Sequence, residues 1–171
     1  MLNSHKPPIV IHAGDLVFGK GRRRIKTLLG SCVAITLWHP RLKYGGMCHF
    51  ALAKKPQSST GGTKPDARYA DDCIHLFKKL AQERGTNLSE YKARIYGGGN
   101  MLASARLEAD SEFSDVDRSP VGDANAAQAF ALLVRENVAI EEADVGEQGY
   151  RKVDFDPVSG HTRVQFVQIN K

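Results

Sequence analysis

Two apolar runs joined by a turn constrain this chain more than any other feature. Val33-Ala34-Ile35-Thr36-Leu37-Trp38 is rich in β-branched and aromatic residues and reads as a strand. His39-Pro40-Arg41-Leu42 carries turn chemistry, and Lys43 to Leu52 runs back as a second strand. If Trp38 pairs with Lys43, Cys32 is matched with His49. Directly opposed residues hold their Cβ atoms about 4.5–5.5 Å apart on one face, the spacing a thiol and an imidazole need to exchange a proton. A slip of one residue would put the two on different faces. Because side chains alternate along a strand, Cys48 belongs to the face opposite His49 and is expected in the core.

A thiol attacks as the thiolate, so a reactive cysteine needs a base or a positive field beside it, and His49 can supply either. Such a pairing predicts a depressed Cys32 pKa. The small neighbours Gly30 and Ser31 leave the sulfur approachable, and their backbone N–H groups can point at a developing oxyanion. Against this stands the plain reading of Cys32 as a small buried hydrophobe at a strand end. The residues alone leave both open.

The chain has 171 residues, of which 42% are hydrophobic, enough for one domain over 1–171 with its own core. Met1 to Pro8 has no apolar signal-peptide core, and no stretch approaches a membrane-spanning length, which points to the cytosol without membrane insertion. Three cysteines, Cys32, Cys48 and Cys73, do not form a disulfide framework. Metal is a weaker reading, because Cys32, Cys48, His49, Cys73 and His75 show neither C-x-x-C nor H-E-x-x-H spacing. His12, His39 and His161 read as surface residues.

The net charge is +5, which favours acidic partners. Arg22-Arg23-Arg24, within a charged stretch from Val17 to Lys26 that leads into the strand Ile25 to Leu29, reads as a solvated loop or a docking patch for an acidic protein. Nucleic acid is disfavoured, since no helix-turn-helix or zinc finger is present and aromatic residues are not interleaved with the basic ones. Lys54 to Lys64 reads as a mobile loop, placed where a lid over the His49 strand would sit.

Further on, Pro65 opens a helix with Ala70, Cys73, Ile74, Phe77, Leu80 and Ala81 on one face and Gly85 as its stop. Ala93 to Tyr96 is a strand halted by Gly97-Gly98-Gly99, whose use is a tight turn or close backbone packing. Polar Glu108 to Pro120 precedes a second helix from about Asp123, with Ala126, Ala129, Phe130, Leu133 and Val134 on one side. Strands at Ala139–Val145, Tyr150–Asp156 and Arg163–Gln168 close the chain. Antiparallel strand pairs with two helices between them make an α+β layered domain.

Leu29-Gly30-Ser31-Cys32-Val33-Ala34, Gly45-Gly46-Met47 followed by His49, Lys64-Pro65 through Tyr69-Ala70-Asp71, Tyr96-Gly97-Gly98-Gly99-Asn100-Met101, then Gly122, Asn125, Gly149, Arg151, Lys152 and Val153 together resemble the chemoreceptor glutamine deamidase family, CheD. The resemblance spans nearly the whole chain in order. It implies a layered β-sandwich-like core with flanking helices, related to the cysteine-dependent toxin deamidases. It further implies conversion of receptor glutamines to glutamates in bacterial chemotaxis, with Cys32 as nucleophile, His49 as general acid/base and Thr27 as the third catalytic member. No cofactor or metal is implied. The implied partners are methyl-accepting chemotaxis receptors and a CheC-like phosphatase, and the alternative is a regulatory binding module for such a phosphatase rather than an enzyme. Two departures from the family pattern are Cys48, where a small residue is usual, and Gly122-Asp123-Ala124-Asn125, where a basic residue often precedes the asparagine.

Overall fold

A computed structural model describes residues 6–19, 21–56, 64–101 and 121–169. Within them the chain runs β1 (Ile9–Val10), β2 (Leu16–Gly19), β3 (Ile25–Leu29), β4 (Val33–His39), β5 (Tyr44–Phe50), α1 (Ala70–Glu83), β6 (Lys92–Gly97), α2 (Val121–Arg135), β7 (Ala139–Val145), β8 (Gly149–Phe155) and β9 (Thr162–Gln168). Most of the expected Lys54–Lys64 loop and the whole Glu108–Pro120 segment lie outside the described residues.

The strands form two sheets, one ordered β1-β3-β8-β9 and the other β2-β5-β4-β6-β7. Period-2 patterning decides how they stack. In β3 the alternate residues Ile25, Thr27 and Leu29 are buried while Lys26 and Leu28 face out, so the four-stranded sheet buries one side only. The inward side chains Ile25, Leu29, Val153 and Phe155 meet Ala34, Met47 and Tyr96 of the five-stranded sheet. The latter is covered on both faces, which is why every residue of β5 is buried. Its far side packs Val33, Ile35, Leu37, Cys48 and Phe50 against Cys73, Ile74 and Phe77 of α1 and Ala129, Leu132 and Leu133 of α2. The result is three layers of sheet, sheet and helices, an α+β arrangement.

Several boundaries differ from expectation for identifiable reasons. Residues 16–19, expected within or beside a charged loop, form an edge strand, because Leu16, Val17 and Phe18 find a partner in β5 through Leu16↔Cys48, Val17↔Met47 and Phe18↔Gly46. The first helix begins at Ala70 rather than at Pro65. Residues 66–68 instead make a turn in which Asp66 accepts from the Arg68 backbone and side chain, and Leu52 bridges to Tyr69. The expected buried face of α1 is confirmed at Ala70, Cys73, Ile74, Phe77 and Ala81, and Gly85 follows the helix with φ of 73°. On α2 the buried face is Ala126, Ala129, Leu132 and Leu133, whereas Val134 is 65% exposed. β6 and β7 pair in parallel, since α2 between them returns the chain to the same end of the sheet.

His39 is a clear correction. It lies in β4 rather than in the turn and is 2% exposed, stacked on Tyr44 and 3.3 Å from Glu90 Oε1 through Nε2. The arginine run is likewise only partly solvated. Arg24 bonds Asp154 at 2.6 Å and Arg23 bonds the Pro7 carbonyl at 2.7 Å, which leaves Arg22 as the exposed member.

One buried cation ties the two sheets together near the end of β6. Arg151 on β8 is 1% exposed; its Nε donates to Asp144 at 3.0 Å, its Nη1 donates to the carbonyls of Gly146 at 2.8 Å and Gly97 at 3.3 Å, and its guanidinium lies 4.8 Å from the Phe166 ring. Removing the fork takes the Arg151 donor from the part-buried Gly146 carbonyl and the cation from Asp144, while Gly97 O keeps its bond from Gly146 N, so Arg151→Met should lower stability by about 1–3 kcal/mol. Arg151→Lys should recover little of it, because a single ammonium cannot reach all three acceptors. Urea unfolding midpoints at unchanged slope measure the loss, and a midpoint equal to wild type for Arg151→Met would remove this role.

Candidate functional site

The hairpin exists, but its register differs from the one expected. His39 pairs with Tyr44, Trp38 with Gly45 and Ala34 with His49. The turn keeps the expected four residues but sits one residue further along, from Pro40 to Lys43: His39 continues the first strand, and Lys43, with φ of 56°, sits in the left-handed region with its N–H donating to His39 O at 2.9 Å, so the return strand starts at Tyr44. Cys32 therefore does not oppose His49. It lies one residue beyond the last ladder pair, Val33↔Phe50, and is a diagonal neighbour of His49. A slip of two residues preserves side-chain parity, so the two remain on the same face, the one turned toward the four-stranded sheet. Cys48 points the other way into the helix-side core, as expected, and meets Cys73 there.

The structure brings Thr27 and His49 together across the gap between the sheets. Thr27 is an inward residue of β3, and its Oγ1 lies 2.7 Å from His49 Nδ1 and 2.7 Å from the Ile11 carbonyl. A carbonyl only accepts, so the hydroxyl proton goes to Ile11 and the proton shared with the ring belongs to Nδ1. The neutral imidazole is thereby held with its lone pair on Nε2. Its backbone is fixed too, since His49 N donates to Asp15 O at 3.1 Å and His49 O accepts from Gly14 N at 2.9 Å.

Burial is the main reason the His49 pKa falls to about 4; repulsion from His12 lowers it further and attraction to Asp15 opposes the drop. His49 is then neutral at pH 7. Burial also pushes the Cys32 thiol up, opposite to the depressed value expected from the pairing. Desolvation of a half-buried sulfur outweighs a neutral imidazole, which offers it no positive charge. The resting site is a neutral thiol beside a neutral imidazole.

Gly30 and Ser31 form the turn between β3 and β4. The three glycines after β6 are built around it. Gly99 N donates to Gly30 O and Gly98 N to Cys32 O, both at 2.9 Å. A side chain at Gly97, whose φ is 109°, would run into the Cys32 carbonyl. The triple glycine thus serves close backbone packing against the cysteine turn. The residue that analysis of the chain left without a role is Asn125 on α2. It is fully buried, and its Nδ2 donates to Ser31 O at 3.0 Å and to Ala51 O at 2.9 Å. An asparagine on the buried side of a helix was the available signal. Among the described residues no group of three or more His, Cys, Asp or Glu side chains is clustered to hold a metal.

Fold and site together define an α+β protein of two packed sheets, with a thiol and an imidazole on one strand pair and a hydroxyl reaching the imidazole from the facing sheet. The family model described as CheD chemotactic sensory transduction matches residues 51–166, a span that begins just after His49. Relatives extend the match across the site. The "Probable chemoreceptor glutamine deamidase CheD 3" of Dechloromonas aromatica is 35% identical over 94% of this chain and 88% of its own length. The "Probable chemoreceptor glutamine deamidase CheD" of Pseudomonas savastanoi pv. phaseolicola is 36% identical over 92% of this chain and 83% of its own. A CheD 1 protein of Leptospira interrogans serovar Lai is 34% identical over 92% and 91% respectively. This chain belongs to the CheD family.

Two titrations follow. The His49 ring resonances should move with a midpoint near pH 4 in the folded protein, below the ordinary value of 6.5. Because the unfolded chain binds this proton more readily, the His49 contribution to stability is complete above pH 6.5 and is lost as pH falls toward 4. An NMR midpoint near 6.5 would contradict the buried neutral ring. Under iodoacetamide at neutral pH, Cys32 should label first, because it is half-buried while Cys48 and Cys73 are enclosed, and its rate should keep climbing above pH 9. Earlier labelling of Cys73 in peptide maps would remove Cys32 as the reactive thiol.

Proposed function

We propose that this protein is a cytoplasmic chemoreceptor glutamine deamidase that converts receptor glutamine side chains to glutamate in chemotactic adaptation. The observation that carries the reading is the Thr27–His49 hydrogen bond on the face that also bears Cys32. The names of the relatives supply the substrate class.

In this reading Cys32 Sγ adds to the carbon of the glutamine carboxamide as His49 Nε2 takes the thiol proton. The tetrahedral oxyanion is met by backbone N–H groups of the Gly30-Ser31-Cys32 turn. His49, now protonated, gives its proton to the departing ammonia, which leaves a thioester on Cys32. Water, deprotonated by neutral His49, then adds to the thioester and releases glutamate and the thiol. A low resting pKa suits His49 to this cycle, because the imidazole must be neutral to accept each proton. Thr27 acts by holding Nδ1 protonated and the ring in place. No cofactor enters the scheme. A CheC-like phosphatase is a second partner suggested by the family resemblance, and kinship with the toxin deamidases belongs to the same reading.

Incubation with a purified chemoreceptor cytoplasmic fragment, read by mass spectrometry for the small gain of amide-to-acid conversion, tests the activity. Cys32→Ser should abolish conversion while keeping the fold, because the hydroxyl is nearly isosteric but far less nucleophilic. His49→Ala should have a similarly large effect. Near wild-type turnover by Cys32→Ser would sink the thiol mechanism, and no turnover by the wild-type protein on receptor would favour the regulatory binding role. Thr27→Val keeps the β-branched shape and removes only the hydroxyl, so kcat/KM should fall roughly ten- to a hundredfold. Unchanged kinetics would leave Thr27 a packing residue.

A further inference from the structure

Asn125 sits where the hairpin ladder stops. The last rung is Val33↔Phe50, and continuation would pair Cys32 with Ala51. Instead the strands part, and Asn125 Nδ2 reaches in from α2 to take the carbonyls of Ser31 and Ala51. The amide orientation is not free to flip, because Oδ1 in that place would face two carbonyl oxygens. Oδ1 itself is buried without a partner among the described residues. A buried polar group left half satisfied is costly, so the clamp on the two carbonyls is what the position is built to provide.

The clamp has a directional consequence. The peptide is planar and trans, so the C=O of Ser31 and the N–H of Cys32 point in opposite directions. α2 packs on the helix side of the five-stranded sheet, whereas His49 and Cys32 face the other sheet. Drawing Ser31 O toward α2 therefore turns the Cys32 N–H toward the face that carries His49. The flanking peptides are held separately, by Gly99 N on Gly30 O and Gly98 N on Cys32 O. Asn125 is the side chain that fixes the middle one.

We propose that Asn125 is a positioning residue that aims the Cys32 backbone N–H as the oxyanion donor of the reaction, by anchoring the Ser31 carbonyl from α2. The inference rests on the thiol mechanism above, and its test separates the two. Deamidation forms an oxyanion and needs that donor; alkylation of the same sulfur by iodoacetamide is displacement at a saturated carbon and does not. In Asn125→Ala and Asn125→Ser, kcat on the chemoreceptor fragment should fall roughly a hundredfold, the loss typical of one oxyanion donor. KM and the rate of Cys32 alkylation should stay within about threefold of wild type, because neither binding nor displacement uses the donor.

A kcat within threefold of wild type would overturn the proposal. So would a parallel loss of alkylation at Cys32, which would mean that Asn125 merely spaces the thiol from His49. Labelling of Cys48 or Cys73 reports a variant that has lost its fold. The wild-type protein then supplies a second arm with a glutamine-derived peptide aldehyde, whose carbonyl carbon bonds to Cys32 Sγ while the thiol proton passes to the aldehyde oxygen. The Cys32 amide proton should shift downfield in that adduct as it donates to the new oxygen, and an unmoved Cys32 amide would also overturn the assignment. Turnover by Cys32→Ser, by contrast, would fail the thiol mechanism itself.

Discussion

The contact between Thr27 Oγ1 and His49 Nδ1 depends on two sheets being stacked in one particular way, and most of the functional geometry depends on that contact. It is a hydrogen bond between side chains from different sheets, β3 of one and β5 of the other. It exists only while the apolar residues between the sheets, Ile25, Leu29, Met47, Tyr96, Val153 and Phe155, hold them at packing distance. In return the bond settles the tautomer of the ring. A hydroxyl that already gives its proton to Ile11 leaves His49 no choice but to donate through Nδ1. The basic nitrogen is therefore placed by sandwich packing rather than by any neighbour in the chain.

The second constraint is the backbone around Cys32. Three successive carbonyls, of Gly30, Ser31 and Cys32, are each taken by a donor from elsewhere in the fold: Gly99, Asn125 and Gly98. Two of these donors follow β6 and one stands on α2. Arg151 reaches across from β8 to the carbonyl of Gly97 and secures the start of the glycine turn. The Cys32 turn is short, but it is held by elements far apart in sequence. In the proposed reaction, a rigid turn of this kind places backbone N–H groups before substrate arrives, so little reorganisation is left for the chemical step.

Electrostatics at the site run toward neutrality. The thiol is pushed up by burial and the imidazole down, and among the described residues no cation reverses either, so the pair does not rest as thiolate and imidazolium. Enclosure is the common cause, since each charged form loses hydration that the site does not replace. In the proposed reaction the thiol stays protonated until a base removes its proton at the moment of attack, and a protonated thiol is also less exposed to adventitious oxidation, which follows thiolate character.

The pattern of the chain by itself determined a good deal. Alternation marked β3, β4, β5, β6 and the last three strands, helical spacing marked α1 and α2, and parity put Cys32 and His49 on one face and Cys48 on the other. Those features are local, because period and parity are properties of consecutive residues. Register was not local. The turn, with Lys43 left-handed at its end, sits one residue further along than expected, which moved the pairing by two residues, and only parity saved the shared face. β2 was missed because an edge strand is defined by its partner rather than by its own composition, and His39 was misplaced outside the core because its burial comes from Tyr44 and Tyr91, residues brought beside it by folding. The Thr27 contact, the Asn125 clamp and the lowered His49 pKa were likewise decided by tertiary structure alone. Each needs groups from different layers at hydrogen-bond or burial distance, and nothing in a linear spacing encodes which face of one layer will meet another.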